Sequence, residues 1–167
     1  CVTEVLKKYD VDGIHFDDYF YPGVDDSLES RWFDYPEYQK SGSTKTAAQW
    51  RRDQVSDLVA RVYRAVKAEK PSVAFGISPQ GYFGNLRSDT KLFTDIDRWL
   101  TQDGYVDYIM PQLYWGFEAK TSDGKKAAFA FQENLNAWTS LVKNGHARLY
   151  LGLAMYRAGT DVKDYNE

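Results

Sequence analysis

The chain has 167 residues, and its 21 Lys and Arg against 24 Asp and Glu give a formal net charge of −3. This length makes about one domain with a real core, and the charge balance argues against binding driven by nucleic-acid phosphates. No apolar run approaches the ~18 residues of a membrane-spanning helix, and one cysteine cannot form an internal disulfide. The 5 Trp, 13 Tyr and 9 Phe suit a core and also a cleft that stacks flat ligands.

The first predicted elements are the end of a helix, a strand and a long loop. Val5–Tyr9 has the pattern of the last turns of a helix, and Gly13–Asp17 is an apolar run of strand length. A loop follows from Asp18 to about Ser43, with turn signals at its prolines and glycines. Loops of this length in a compact domain usually carry function.

The next segment predicts a long amphipathic helix over Thr46–Lys70, ended by Pro71. Its apolar residues recur every three or four positions: Trp50, Val55, Leu58, Val59, Val62, Tyr63 and Val66. Val73–Pro79 is the second predicted strand. A shorter helix capped by Asp89 or Thr90 follows and is closed by Gly104.

The remaining pattern predicts a strand at Val106–Met110, a helix at Ala127–Lys143 and a strand at Leu149–Tyr156. Strands that alternate with helices predict parallel pairing with right-handed crossovers. The fold class is therefore α/β, either a doubly wound open sheet or part of a (β/α)8 TIM barrel. No glycine-rich phosphate loop follows a strand. A full barrel takes ~250 residues, and this chain supplies about half of one.

In both architectures, function lies beyond the carboxyl ends of the strands. Four segments occupy such positions: His15–Pro22, Ser78–Tyr82, Pro111–Trp115 and Met155–Arg157. All four are rich in aromatic and hydrogen-bonding side chains. Apart from Arg157 they contain no lysine or arginine, and none contains a metal-ligand pair at a recognised spacing. We therefore predict no metal, no cofactor and no nucleic-acid partner.

Alternation along the first strand sends Ile14 and Phe16 toward the helix layer, and His15, Asp17 and Tyr19 toward the cleft. An Asp at the end of a buried strand between aromatic residues is expected to be poorly solvated, which lets its proton affinity be tuned for catalysis. The alternative is that Asp17 or its neighbour Asp18 caps the loop or pairs with an arginine. His15 is expected to bond a carboxylate inside the fold rather than to act as a general base.

The third and fourth strand ends have the composition of a sugar subsite. Gln112 offers an amide for hydroxyl groups, and Tyr114, Trp115 and Tyr156 offer rings for the apolar face of a pyranose. The alternative interpretation is that these residues are core and capping residues. Three further tryptophans fall on the inner faces of predicted helices and are expected in the core: Trp50, Trp99 and Trp138.

The segment Asp12–Pro22, which reads DGIHFDDYFYP, resembles the hallmark of the glycosyl-hydrolase-like family 10, a family distinct from the family 10 xylanases. The resemblance continues in order through three further segments, Phe75–Pro79, Val106–Trp115 and Leu149–Ala154. Members of that family are (β/α)8 barrels of the bacterial cell envelope, and characterised examples are similar to enzymes that cut peptidoglycan glycan strands. The resemblance implies that this chain corresponds to strands four to seven of such a barrel.

A looser similarity links the same segment to family 18 chitinases, whose fourth strand reads Asp-Gly-x-Asp-x-Asp-x-Glu. Asp12, Gly13 and Asp17 match this pattern. His15 replaces the middle Asp, however, and Tyr19 stands where the acid Glu belongs. The comparison argues against a chitinase mechanism and leaves Asp17 as the shared residue.

These observations predict a glycoside hydrolase that acts on a polysaccharide by carboxylate acid/base catalysis, and the expected substrate is an amino-sugar glycan such as peptidoglycan strands. Asp17 is the first candidate for a catalytic carboxylate and Asp18 the second. The partner of this carboxylate is one of three groups: Glu118, a residue in the missing strands of the barrel, or the acetamido group of the substrate. The predicted sugar-binding residues are His15, Tyr19, Gln112, Tyr114, Trp115 and Tyr156. The alternative function is a non-catalytic carbohydrate-binding barrel domain.

The predicted domain is residues 1–167 as part of one catalytic barrel. Three helices do not cover both sides of an open four-stranded sheet, whose first and last strands expose unpaired edges. We therefore expect the chain to be a piece of a longer protein, or to cover its edges by self-association. The family resemblance implies an extracytoplasmic location, in the periplasm, in the cell envelope or secreted.

Overall fold

The computed structural model describes residues 1–18, 20–24, 31–143 and 145–159. The strands are β1 (Gly13–Phe16), β2 (Ala74–Ile77), β3 (Tyr108–Ile109) and β4 (Arg148–Leu149). The helices are α1 (Val2–Lys8), α2 (Tyr35–Lys40), α3 (Ala47–Glu69), α4 (Phe83–Leu86), α5 (Ile96–Thr101) and α6 (Phe131–Val142), followed by a 3-10 turn at Met155–Arg157. Within these ranges, no helix is long and apolar enough to cross a bilayer.

The four strands form one sheet in the order β1-β2-β3-β4, and each neighbouring pair is parallel. Single bridges from Gln80 to Gln112 and from Gln112 to Gly152 continue the pairing past the strand ends. The predicted α/β class with an all-parallel sheet is confirmed, and the arrangement agrees with part of a TIM barrel. Strand order that follows chain order puts the four carboxyl ends in sequence along one edge.

The two faces of the sheet differ in burial. Phe75, Ile77 and Ile109 are fully buried and pack with helical residues in the main core. Phe16 joins them, with its ring centroid 5.2 Å from that of Phe75. His15, on the opposite side of β1, is exposed, which confirms the predicted alternation.

The cleft side of the sheet is built around the contact between Gly76 and Tyr108. A Cβ atom at Gly76 would lie 2.1 Å from Cζ of Tyr108, so the tyrosine ring lies directly against the glycine backbone. The same ring stacks on His15 at a centroid distance of 5.8 Å and meets Tyr150 edge-on at 5.5 Å. Three strands thereby contribute rings to one layer above β2.

Helix α3 confirms the periodicity argument. Its N-cap is Thr46, whose hydroxyl accepts from the Gln49 N–H while the Gln49 side chain accepts from the Thr46 N–H. This reciprocal capping satisfies two donors that a helix start otherwise leaves unpaired. Two inner-face assignments are wrong: Leu58 is 50% exposed while its neighbours Val55 and Val59 are buried, and Trp50 is half-buried and packs against Tyr38 outside the main core.

The helix before β3 begins later than predicted. Asp95 is the N-cap of α5 and accepts from the Arg98 N–H at 3.4 Å, so the predicted cap at Asp89 or Thr90 is wrong. Asp89 instead pairs with Arg52 of α3, whose Nη1 lies 2.6 Å from Asp89 Oδ1. The ion pair holds the segment before α5 in a turn and removes its carboxylate from a capping position.

Other boundaries also differ from the sequence prediction: the predicted strand Leu149–Tyr156 is observed as Arg148–Leu149, and its predicted end lies in the 3-10 turn Met155–Arg157. The loop after β1 contains α2, and α6 starts at Phe131 rather than at Ala127. Ala127 and Ala130 are buried with Ala119 in a second, smaller apolar cluster. Packing within this cluster keeps the segment before Phe131 out of the helix.

A buried ion pair fastens the loop after β1 to helix α3. Arg51 donates from Nε and Nη2 to the two carboxylate oxygens of Asp34, at 2.6 and 2.8 Å. The side chains are 1% and 5% exposed. Tyr21 donates to the same carboxylate at 2.5 Å, and the guanidinium lies 4.2 Å from the centre of the Trp32 ring.

We predict that Asp34→Asn in the complete protein lowers the free energy of unfolding by ~3–5 kcal/mol, because it leaves a buried guanidinium without its charge partner. Burial alone would raise the pKa of Asp34, but the bonds from Arg51 and Tyr21 outweigh it and hold that pKa below its usual range. The stabilisation is therefore present above about pH 4 and is lost as the pH falls through the folded-state pKa.

Urea unfolding between pH 3 and 7 measures this effect, and the gap between the two proteins should narrow at the acidic end. Asp97→Asn is the matched control. Its bidentate partner Arg87 is half-exposed, so the change should cost ~0–1 kcal/mol. Equal losses in the two variants would contradict the prediction.

Candidate active site

The amide of Gln112 connects the carboxyl ends of three strands. Its Nε2 donates to Oδ1 of Asp17 at 2.6 Å and to the carbonyl oxygen of Ser78 at 3.1 Å. Asp17 follows β1, Ser78 follows β2 and Gln112 follows β3. The parallel register thus brings together side chains that are 95 positions apart in the sequence.

Asp17 is held in one orientation by two donors on the same oxygen. The backbone N–H of Asp18 reaches Oδ1 at 2.9 Å, in addition to the amide of Gln112. Oδ2, on the other branch of the carboxylate, diverges from both donors. In the described part of the protein Asp17 is exposed, because its side chain points to the open face of the sheet and not into the core that receives Phe16; poor solvation of Asp17 stays a prediction for the complete barrel.

Asp18 is less exposed than Asp17. Its bond to Asp17 comes from the main chain, and successive side chains on an extended segment diverge. The two carboxyl groups therefore do not face each other across a cleft. Tyr19, the third polar residue predicted here, lies outside the described residues.

His15 lies one layer below Asp17 on the same face of β1. Its Nδ1 is 2.9 Å from the hydroxyl of Tyr108. The expected carboxylate partner for His15 is therefore wrong. Tyr108 crosses over Gly76, and its hydroxyl occupies the position next to Nδ1 of the imidazole. His15 and Tyr108 form a polar floor beneath the strand-end carboxylate.

Tyr114 and Tyr156 lie together beside this edge. Their rings meet edge-on with centroids 6.4 Å apart, and Tyr156 is 69% exposed. The guanidinium of Arg157 donates to the carbonyl oxygen of Tyr114 at 3.1 Å, which ties the turn after β4 to the segment after β3. The exposed ring of Tyr156, which follows β4, stays a candidate for the predicted sugar subsite.

Trp115 packs in the loop that follows β3. Its ring centroid lies 5.3 Å from that of Phe129, next to the alanine cluster of that loop. The residue is half-buried, so one part of the ring supports the loop and another remains accessible. Glu118 is exposed in the same loop and stays a candidate for the second carboxyl group.

Sequence reasoning missed one group of polar residues at the end of β2. Gln80, Asn85 and Lys91 form a continuous chain of hydrogen bonds in which Lys91 Nζ lies 2.9 Å from Asn85 Oδ1 and Asn85 Nδ2 donates to Gln80 Oε1. The position of Gln80, directly after the predicted second strand, was the available signal. In the part of the chain that the structure describes, no three His, Cys, Asp or Glu residues gather as a metal site.

We predict that Gln112→Leu in the complete protein lowers kcat about 10- to 100-fold, because Asp17 loses one of the two donors that orient it and keeps only the Asp18 N–H. A residue that only bound sugar would instead raise KM at unchanged kcat. Steady-state kinetics on a glycan substrate separate the two results. Gln54→Leu, on an exposed position of α3, serves as the control and should match the parent protein.

The sequence matches the family described as Glycosyl hydrolase-like 10 over residues 1–166. It is 38% identical over 175 residues to "Glycosyl hydrolase DigH" of Escherichia coli (strain K12), and the match covers 97% of this chain and 37% of the relative. It is also 38% identical over 172 residues to "Glycosyl hydrolase YngK" of Bacillus subtilis (strain 168), covering 93% of this chain and 32% of the relative. The chain thus spans about a third of the length of these relatives. The resemblance carried by Asp12–Pro22 is confirmed, and the chain belongs to the glycosyl hydrolase-like 10 family.

Proposed function

We propose that this chain supplies part of the active site of a glycoside hydrolase that cuts an amino-sugar polysaccharide such as peptidoglycan glycan strands. The observation that carries the proposal is the carboxylate of Asp17, exposed at the carboxyl edge of a parallel sheet and oriented by Gln112 and the Asp18 N–H. Two relatives that share 38% of their matched residues with this chain are named glycosyl hydrolases.

The chemistry calls for two carboxyl groups in most glycosidases, one as acid and one as base or nucleophile. Asp17 has the fixed orientation that either role of an ionised carboxylate needs, since Oδ2 can approach a sugar or a water while Oδ1 stays bonded. Asp18 is the second candidate. The partner is Glu118, a carboxyl group from the rest of the protein, or the acetamido group of the substrate.

The sugar would lie along the strand-end edge. Tyr114, Tyr156 and Trp115 supply aromatic surface, and Gln112 supplies an amide next to the carboxylate. His15, beneath the strand-end carboxylate, is proposed as an orienting group, and Tyr19 is proposed for the same role on the sequence alone. A pyranose has an apolar face and a rim of hydroxyls, so it requires this combination of rings and amides.

The proposal includes a location and a partner. Peptidoglycan strands lie outside the cytoplasmic membrane, so the protein would act in the periplasm, in the cell envelope or after secretion. The remaining strands of the barrel would come from a longer chain or, failing that, the sheet edges would pair between copies.

We predict that Asp17→Asn in the complete protein lowers turnover of glycan strands by ~100-fold or more and leaves the melting temperature nearly unchanged. The substitution keeps the size of the side chain and removes the charge. Release of reducing ends measures the rate, and Asp57→Asn on an exposed position of α3 is the control. A loss of stability of roughly 1–3 kcal/mol with intact activity would remove Asp17 from the mechanism.

The same assay tests the alternative function. A non-catalytic carbohydrate-binding barrel would retain affinity for glycan strands while the parent protein releases no reducing ends. That result would contradict the hydrolase proposal and retain the carbohydrate-binding one.

We predict that glycan oligomers quench the fluorescence of Trp115 and that Trp115→Ala weakens their binding by ~1–3 kcal/mol, by analogy with other aromatic stacking platforms. Because the ring also contacts Phe129, thermal unfolding is measured in parallel. Phe129→Leu serves as the comparison, since it loosens the loop without removing the platform. Equal binding by Trp115→Ala and the parent protein would assign Trp115 to loop packing alone.

A further inference from the structure

The hydrogen bonds between Lys91, Asn85 and Gln80 run in one direction. Lys91 donates to the side-chain oxygen of Asn85, and the side-chain nitrogen of Asn85 donates to Oε1 of Gln80. Lys91 is exposed, whereas Asn85 and Gln80 are half-buried. This series of hydrogen bonds therefore runs from the exposed Lys91 to Gln80, which follows β2 at the carboxyl edge of the sheet.

An ammonium group has only donors, so Lys91 requires the oxygen of Asn85 on its side. The Asn85 nitrogen is then the atom left for Gln80, and it requires the oxygen of Gln80 in turn. The nitrogen of Gln80 occupies the other branch of its amide and turns away from Asn85. Through Asn85, a lysine thus determines that the oxygen of the Gln80 amide is occupied and that its nitrogen is the end left over.

Gln80 lies close to the proposed catalytic carboxylate. It pairs with Gln112 in a parallel bridge, and Gln112 bonds Asp17 through its own amide. Gln80 also lies two residues beyond Ser78, which accepts from the same Gln112 amide; alternation puts both on one face of the sheet. Ser78 and Gln80 are therefore only about 7 Å apart along the chain, which is the rise of two extended residues.

We infer that Gln80 is a specificity-determining residue whose N–H groups bind the carbonyl oxygen of an acetamido group on the sugar. This inference rests on the proposed function. A hydroxyl can donate or accept, and it therefore needs no fixed amide orientation. An acetamido carbonyl only accepts, and a de-N-acetylated sugar presents an ammonium that only donates. The fixed donor of Gln80 distinguishes these two forms.

The test reverses the amide of Gln80 and measures selectivity. In Asn85→Asp, the carboxylate accepts from both Lys91 and Gln80, so Gln80 turns its oxygen to the sugar. In Gln80→Glu, the side chain keeps its bond to Asn85 and presents an acceptor directly. Both variants are made in the complete protein, and kcat/KM is measured on glycan strands, on the same strands after chemical de-N-acetylation, and on strands with reduced carboxyl groups.

We expect the ratio of kcat/KM for acetylated over de-N-acetylated strands to fall about tenfold or more in each variant, because a site that hydrogen-bonds one substrate group rejects a substrate that presents a mismatched one. A merely structural role would lower both rates together and leave the ratio unchanged. Lys143→Met, at an exposed position after α6, is the control and should keep the parent ratio. Carboxyl reduction should not alter the effect of either variant.

An unchanged ratio in Gln80→Glu, with a parent-like melting temperature, would overturn this inference and leave the hydrolase proposal intact. A variant effect that disappears after carboxyl reduction would also overturn it, because the acceptor would then be a sugar carboxylate. If Asn85→Asp does not fold, Gln80→Glu decides alone. A parent protein that cuts none of the three substrates contradicts the proposed function itself.

Discussion

The carboxyl edge of this sheet depends on one side-chain amide that crosses from the end of β3 to the ends of β2 and β1. Gln112 orients Asp17 and is itself held by the backbone of Ser78. This arrangement exists only because the strands are parallel and consecutive, so their carboxyl ends reach the same edge. A slip of one residue in either strand pair would turn one of these side chains to the helix layer.

The loops around that edge are held by contacts with helix α3, outside the sheet. The pair of Arg51 and Asp34 anchors the loop that leaves β1, and Arg52, next along the helix, anchors the segment before α5 through Asp89. The two anchors differ in burial. The first is enclosed and costly to break, whereas Asp89 is 75% exposed, so the segment before α5 is the weaker attachment.

The periodicity of the sequence was enough to predict the architecture, but it predicted only some of the contacts in the candidate site. Helix α3 and the parallel sheet were predictable because apolar spacing and strand-helix alternation are local signals. The N-cap of α5 at Asp95 was not predictable in this way. The choice among Asp89, Thr90 and Asp95 depended on Arg52, which is distant in the sequence and pairs with Asp89. The partner of His15 was missed for the same reason: Tyr108 is 93 positions away. The bonds that decide side-chain orientation here are long-range, and local pattern does not encode them.

The contact between Gly76 and Tyr108 makes these two positions one unit for evolution and redesign. A ring at 108 excludes any side chain at 76, since a Cβ there would lie 2.1 Å from the ring. A relative with a larger residue at 76 must therefore carry a smaller one at 108. Such an exchange would also withdraw the hydroxyl that meets His15 and lower the floor of the cleft. The residue at position 76, one layer below the strand ends, thus sets the depth beneath the carboxylate.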